Sequence, residues 1–599
     1  MPVVGRWGAD AGRRAAAMAL AALLLAAGGC GTAGATLGGT ANAGGTPAPA
    51  PSGSGAVTAG PPAPITVAVS SDFPTLDPAR AADTESISAI QLMYQPLFTY
   101  SAGGGVTGLL AKSWQWSDGD RTLTVQLQPA ATFSDGTPVT SADVLFSLER
   151  MLSRTVDSPR AGAWSDLVGW GQLRAARRGA LLAPPATVAA SGSQAGAAGP
   201  PPVGIVAAGP ETVVFHLVQP LPYLPELLAM PSASIVEESA ANNAAADAAG
   251  WWFQHSAGSG PYVLGSWTPG ASLQLQPSPH FWLRGAVRGV APEGPYAPVD
   301  FEVVSSPSAQ LRGFDQGRLD VLDPAPAASG SLPAGSRLLQ GGNLGVVYLG
   351  FNLSVAPFNN PLLRQAVAYA LDKAKLVAVA GAAGGPAAGL LPPGIPGRDA
   401  SLRPYPYDPV RARQLFAQAG AKPGLAVTLL TIAAGGTVQQ GLTDGTAAAV
   451  AQELDAVGFD VTLQEVSWSE YYKDLAGGKA NLFQADWLAD YPDAEDFFFN
   501  LLDSASVGAG NASFYENPSF DRALARAAAQ TNPTQRNADY RTLDAQVYNA
   551  LPVLPEFYTT ASVLVQPWVA PDPATALQVY LRPPLLPQLD RVWLRPHGS

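Results

Sequence analysis

A single cysteine in 599 residues rules out any disulfide within the chain, so the fold must be held by burial alone. The material for that burial is present. Thirteen Trp, 17 Tyr and 20 Phe are enough for large cores, and they exclude disorder throughout. The cysteine's position is informative as well. Cys30 follows the apolar run Met18–Ala27 and the pair Gly28-Gly29, with Arg6, Arg13 and Arg14 upstream. Charge, apolar stretch, small residues and then Cys is the layout of a bacterial lipoprotein signal, cleaved just before the Cys, whose sulfur carries the lipid. The competing reading is an ordinary cleaved signal followed by a free thiol. Ala27 stands where a Leu is usual in a lipoprotein box.

Losing residues 1–29 removes three Arg and one Asp, which takes the formal charge from −12 to −14. An acidic chain of this kind lacks the clustered Lys and Arg that nucleic-acid phosphates require. After Cys30 no uninterrupted apolar segment of about 20 residues occurs, so no further membrane span is expected. Residues 31–63 contain no charge and no aromatic residue, and read as a flexible tether. A second low-complexity stretch near 182–204 reads as a surface insertion in globular sequence.

The folded body begins at Ile65 with the strand candidate ITVAVS. Arg121–Gln128 alternates Leu123, Val125 and Leu127 with polar residues, which predicts a half-buried strand. Asp135-Gly136 supplies a turn. Thr140 and Asp143 then form a capping-box-like start to a helix carrying Val144, Leu148 and Leu152. Asn360-Pro361 predicts the start of a helix through LLRQAVAYALDKAKLV, and Asp408-Pro409 opens another that Gly420 closes. Strand Val427–Thr431, helix Thr443–Ala456 and strand Phe459–Glu465 alternate, which argues for an α/β domain. Helices are expected over Pro518–Ala529 and Pro533–Ala550, and a strand over Ala561–Val565.

Four stretches carry a resemblance. They are LLAKSWQWSDGDRTLTVQLQPAATFSDGTPVTSADVLFSLERML (109–152), GSGPYVLGSWTPGASLQLQPSPHFW (258–282), LGFNLSVAPFNNPLLRQAVAYALDKAKLV (349–377) and ADWLADYPDAEDFFFNLLDS (485–504). In order and spacing they resemble the extracellular solute-binding proteins of family 5, the peptide-binding subunits of ABC importers, over about residues 64–599. The resemblance implies an α/β, periplasmic-binding-protein-like fold of two lobes and a hinge, in the large three-domain, cluster C type. Lobe I would comprise 64–100, 222–348 and 565–599. Domain II would be 101–221 with its insertion, and lobe II 349–564. It also implies a small ligand, permease and ATPase subunits as partners, a monomer, and a place on the outer face of the cell membrane. No cofactor or metal is implied.

The same resemblance nominates site residues. Asp490, in the Trp-x-x-Asp of Trp487 to Asp490, matches the anchor for a ligand's α-ammonium; an Asp before a helix otherwise reads as a cap or surface turn. Trp468 and Trp487 match aromatic pocket positions, against ordinary core Trp. Glu85 matches a polar cleft position, against a helix-start Glu. Strand Gly345–Phe351, with Tyr348, would lie at the hinge, where its backbone would pair with an extended peptide. Asp493, Glu495 and Asp496 read as caps and first-turn charges rather than metal ligands. Some oligopeptide-binding members carry an Arg three residues before the Trp, and a His elsewhere, for the ligand's carboxylate. Here that position is Gln484, and His216, His255, His280 and His597 are scattered, so the carboxylate's partner stays open. So does the ligand: a di- or oligopeptide is expected, but relatives also bind nickel complexes, haem, opines and oligosaccharides. A hydrolase is disfavoured by the absence of G-x-S-x-G and H-E-x-x-H. A surface sensor on the same fold is not separable from an importer subunit at this level.

Overall fold

The computed structural model describes residues 63–100, 105–175, 204–283, 297–323, 332–381, 384–433, 444–571 and 592–594. Cys30, the leader 1–29 and, apart from their last residues, the tether 30–63 and the insertion near 182–204 lie outside the described residues.

Among the described residues one ten-stranded mixed sheet runs through the molecule. Its order is Phe459–Val466, Leu425–Ile432, Leu482–Leu488, Arg337–Phe351, Val553–Val565, Val321–Leu322, Ile65–Val69, Val299–Val303, Ser272–Pro277 and Tyr262–Thr268. The two ends belong to different lobes. At one end Leu425–Ile432 and Phe459–Val466 pair in parallel across the helix Asp444–Asp455, the alternation that the sequence predicts. At the other end Ile65–Val69 pairs in parallel with Val299–Val303, beside the hairpin Tyr262–Pro277. A positive φ of 70° at Gly270 makes the hairpin's turn, and Trp267 stacks on Phe253 at 3.9 Å.

Two long strands join the lobes. Arg337–Gly342 pairs with Thr560–Val565, and Val346–Gly350 with Val553–Tyr558. The register slips between Gly342 and Val346, where Leu344 takes a left-handed φ of 54°. Glycines flank the slip at 341, 342 and 345. The expected strand Ala561–Val565 is thus the far end of a 13-residue connector.

One expectation fails on pairing. Tyr348 is in register with Ala485 on one side and near Pro555 on the other, so both edges of Gly345–Phe351 are filled. A strand with no open edge cannot accept a peptide by strand addition. A second concerns a helix. The segment after Asn360-Pro361 forms two helices, Pro361–Ala370 and Lys373–Ala380. Asp372 breaks the run by accepting the N–H groups of Ala374 and Lys375, and so caps a new helix.

A four-stranded antiparallel sheet, Ala111–Ser117, Thr122–Leu127, Thr212–His216 and Ile205–Gly209, forms a further layer. Leu123, Val125, Val213 and Phe215 point into one core with Trp164 and the segment Leu221–Ile235. Burying each such large apolar side chain contributes about 1.5–3 kcal/mol. The helix Ser141–Leu152 covers this core. Its start is the predicted box: the Thr140 N–H donates to Asp143 Oδ2 at 2.8 Å. None of the described helices is long and apolar enough to cross a membrane.

Candidate functional site

The strand Leu482–Leu488 ends at the face where the second lobe meets the first, and the helix Ala494–Leu502 starts six residues later. Asp493 is its N-cap, accepting from the Glu495 N–H at 2.9 Å. With that role filled, Asp496 turns back to the preceding loop. Its Oδ2 accepts from the Trp487 indole Nε1 at 2.9 Å and from the Asp490 N–H at 3.1 Å. Its Oδ1 accepts from Asn500 Nδ2 at 3.2 Å. Asp496 is wholly buried and holds the two predicted site residues in one geometry.

Asp490 is therefore neither a helix cap nor a surface turn. Its carboxylate faces the core of the four-stranded sheet, where Arg160 Nη1 forms an ion pair with its Oδ2 at 2.6 Å. Arg160 is fixed by its neighbours Ala161 and Trp164, both buried in the core of the four-stranded sheet. Burial raises the Asp490 pKa above the ordinary carboxylate range, and the Arg160 charge works against that rise. Burial also holds Asp496 well above the ordinary value, with the Asp490 charge adding to it.

Next to this pair the lobes touch through aromatic rings. Tyr491 stacks on Tyr223 of the first lobe, with centroids 5.7 Å apart and planes 4° from parallel. Arg536 lies over both Tyr223, at 5.2 Å, and Tyr540, at 4.8 Å, and grips Asp493 with both Nη atoms. The Tyr491 hydroxyl donates to Glu495. Burial pushes Glu495 up to about 7, and does the same to Glu226, which faces the cluster from the first lobe.

The other nominated residues fall elsewhere. Glu85 lies in the first turn of the helix Thr84–Met93, behind the Asp83 cap. It accepts from Ser71 and raises the proton affinity of Asp323, so its described contacts stay within the first lobe. Tyr348 is a core residue, edge-on to Phe483 at 6.4 Å. Trp468 opens the helix Trp468–Ala476, and its side chain lies outside what is described. Gln484 is wholly buried: its Nε2 donates to Glu556 Oε2 at 2.7 Å, and its Oε1 accepts from Thr446 at 3.1 Å. Arg160, Asp496 and the Tyr223–Tyr491 pair were not legible in the sequence. Tyr491 was the one signal available, being an aromatic next to the nominated Asp.

Two lobes joined by paired strands, meeting across a face of opposed charges and stacked rings, define a binding protein that encloses its ligand. The chain belongs to the bacterial extracellular solute-binding proteins, family 5, whose model matches residues 105–509. It is 29% identical over 488 residues to a probable D,D-dipeptide-binding periplasmic protein of Escherichia coli strain K12, covering 80% of this chain and 85% of that one. A glutathione-binding protein of Shigella dysenteriae is 25% identical over 502 residues, covering 82% and 88%. The fold matches the periplasmic binding protein DppA of Helicobacter pylori, solved with the peptide STSA, at a TM-score of 0.67. That match has 21% identity and covers 88% of this chain and 98% of that one.

Proposed function

We propose that this chain is the extracytoplasmic substrate-binding subunit of an ABC importer, and that it captures a di- or oligopeptide by closing two lobes around it. The observation that carries the reading is Asp490, a single partly buried carboxylate facing the opposite lobe at the end of a strand, held by Asp496. A charge-assisted hydrogen bond from an α-ammonium is roughly twice as strong as a neutral one, and a cation there relieves the cost of the buried charge. Trp487 supplies apolar area beside the anchor, and Trp468 is assigned the same role. Apolar ring faces accept varied side chains without specific hydrogen bonds. Glu85 is assigned to the polar rim of the cleft in the first lobe.

In this reading lobe I comprises 64–100, 222–348 and 565–599, domain II 101–221, and lobe II 349–564. Cys30 carries the lipid that tethers a monomeric receptor to the outer face of the membrane, and the chain performs no chemical step. The ligands for which the two relatives are named, a D,D-dipeptide and glutathione, are short peptides and support this substrate class. Mass spectrometry of the solute released on denaturing the purified protein tests it. A short peptide is the expected result, and a sugar or a metal complex would overturn the peptide assignment.

A further inference from the structure

The Arg160–Asp490 pair crosses from one lobe to the other, and it is partly open to solvent on both sides. Its closest atoms are Arg160 Nη1 and Asp490 Oδ2, 2.6 Å apart. Arginine presents five donors in a planar fork shaped for a carboxylate. The side chains of Arg160 and Asp490 keep 28% and 17% of their exposure, so both can be reached from solvent. The other cation of the cluster is committed. Arg536 is bound to Asp493 through two nitrogens and to the Tyr540 hydroxyl at 3.0 Å. Gln484 is also committed, to Glu556 and Thr446 below the sheet. Of the two arginines in this cluster, Arg160 is the more open to an incoming anion, its side chain 28% exposed against 10% for Arg536.

We propose that Arg160 is the second ligand anchor, and that a short zwitterionic peptide binds by exchanging with the Arg160–Asp490 ion pair. The proposal rests on the reading of Asp490 as the ammonium anchor and adds the carboxylate partner. The ligand's ammonium takes Asp490, and its carboxylate takes the fork of Arg160. Direct contact at 2.6 Å leaves no space between the charges. A dipeptide separates its terminal charges by roughly 6–7 Å, so the lobes part to admit it and reclose with the ligand bridging them. Exchange with a zwitterion leaves neither partly buried charge unpaired. A ligand with only one terminal charge strands the other partner, which is costly. The resting pair therefore selects for both termini at once, and for ligands short enough to bring both within one cleft.

The test uses calorimetry on the full mature chain with dialanine (L,L and D,D), its C-terminal amide and its N-acetyl derivative, for the wild type and Arg160→Gln. The wild type is expected to prefer free dialanine over the amide by roughly 10- to 100-fold. Arg160→Gln is expected to lose that preference while still rejecting the N-acetyl form. If the variant binds acid and amide alike but both more tightly than wild type, Arg160 only competes for Asp490, and the proposal is overturned. An acid-over-amide preference that survives in the variant overturns it as well. Equal binding of the N-acetyl and free forms by wild type instead overturns the ammonium reading of Asp490, and leaves the acid–amide arm to decide Arg160 independently. Wild type that binds no form of dialanine overturns the short-ligand selection.

Discussion

Asp496 has no exposure to solvent, yet it accepts hydrogen bonds from three side-chain and backbone donors that set the geometry of the binding loop. Asp496→Ala leaves the Trp487 indole and the Asp490 N–H without their acceptor. An unmade hydrogen bond to a buried donor costs about 1–3 kcal/mol. Urea unfolding should show a loss of that size, together with weaker peptide binding; unchanged stability would mean that water replaces the carboxylate. Asp490→Asn is the complementary change. It keeps the loop and removes the charge, so peptide affinity should fall by about 1.5–3 kcal/mol with the unfolding midpoint little altered. Unchanged affinity by calorimetry would remove Asp490 as the ammonium anchor. Asp490 and Trp487 were legible because they share one short motif. Arg160 was not, because an ion pair between distant segments leaves no local pattern. Asp496 read as a first-turn charge, since nothing in the sequence says that Asp493 already fills the cap.

Elements whose determinants are local were read closely. Asp-Pro and Asn-Pro starts, the Thr140–Asp143 box and the strand alternation of Leu123, Val125 and Leu127 each act within a turn or a strand. Where tertiary pairing decides, the local sequence is silent. Gly345–Phe351 is a central strand because Leu482–Leu488 and Val553–Val565 flank it, which its own residues do not announce. The tie between helix Ser141–Leu152 and the segment after the first strand is of the same kind. Arg150 grips Asp77 with both nitrogens at 2.6 Å, donates to Ala246 O at 3.1 Å and lies 4.6 Å over Trp252. Asp77 is fully buried and Arg150 nearly so. Removing one partner of a buried pair strands the other charge, so Asp77→Ala should destabilise by about 3–5 kcal/mol. An exposed pair would cost under about 1 kcal/mol, so a small loss in urea unfolding would contradict the burial of this tie.

For the molecule as a whole, the face where the lobes meet is a titrating surface. Glu226 on one side feels the charges of Asp493 and Arg536 on the other, and Asp493 and Arg536 in turn act on Glu495. One arginine serves these acids, and it is taken by Asp493. Burial, and then the Asp493 charge, lift Glu226 from 4.5 to about 7, and its Oε2 is sealed from solvent without a hydrogen bond. A raised folded-state pKa means that the folded, lobe-contacting form binds the proton more tightly than the unfolded chain does. The stability this proton supplies is complete below about pH 4.5 and is lost as pH climbs through about 7. A rise of this size corresponds to about 3 kcal/mol at the alkaline end. Glu226→Gln places a neutral group there at every pH. The variant should match wild type at pH 4.5, exceed it in unfolding free energy by up to about 3 kcal/mol at pH 8, and show a flatter profile between. Parallel profiles for the two proteins would mean that Glu226 stays solvated and that the lobes do not seal over it. The expected divergence would instead mark contact between the lobes as a proton-taking step. A receptor built this way binds its lobes together more firmly in acid, while protonation of Asp490, whose pKa is also raised, works against ammonium capture there. Because the touching lobes must part to admit a peptide, the two titrations act together, and calorimetry should show peptide affinity falling as pH is lowered through the range in which these groups take up protons.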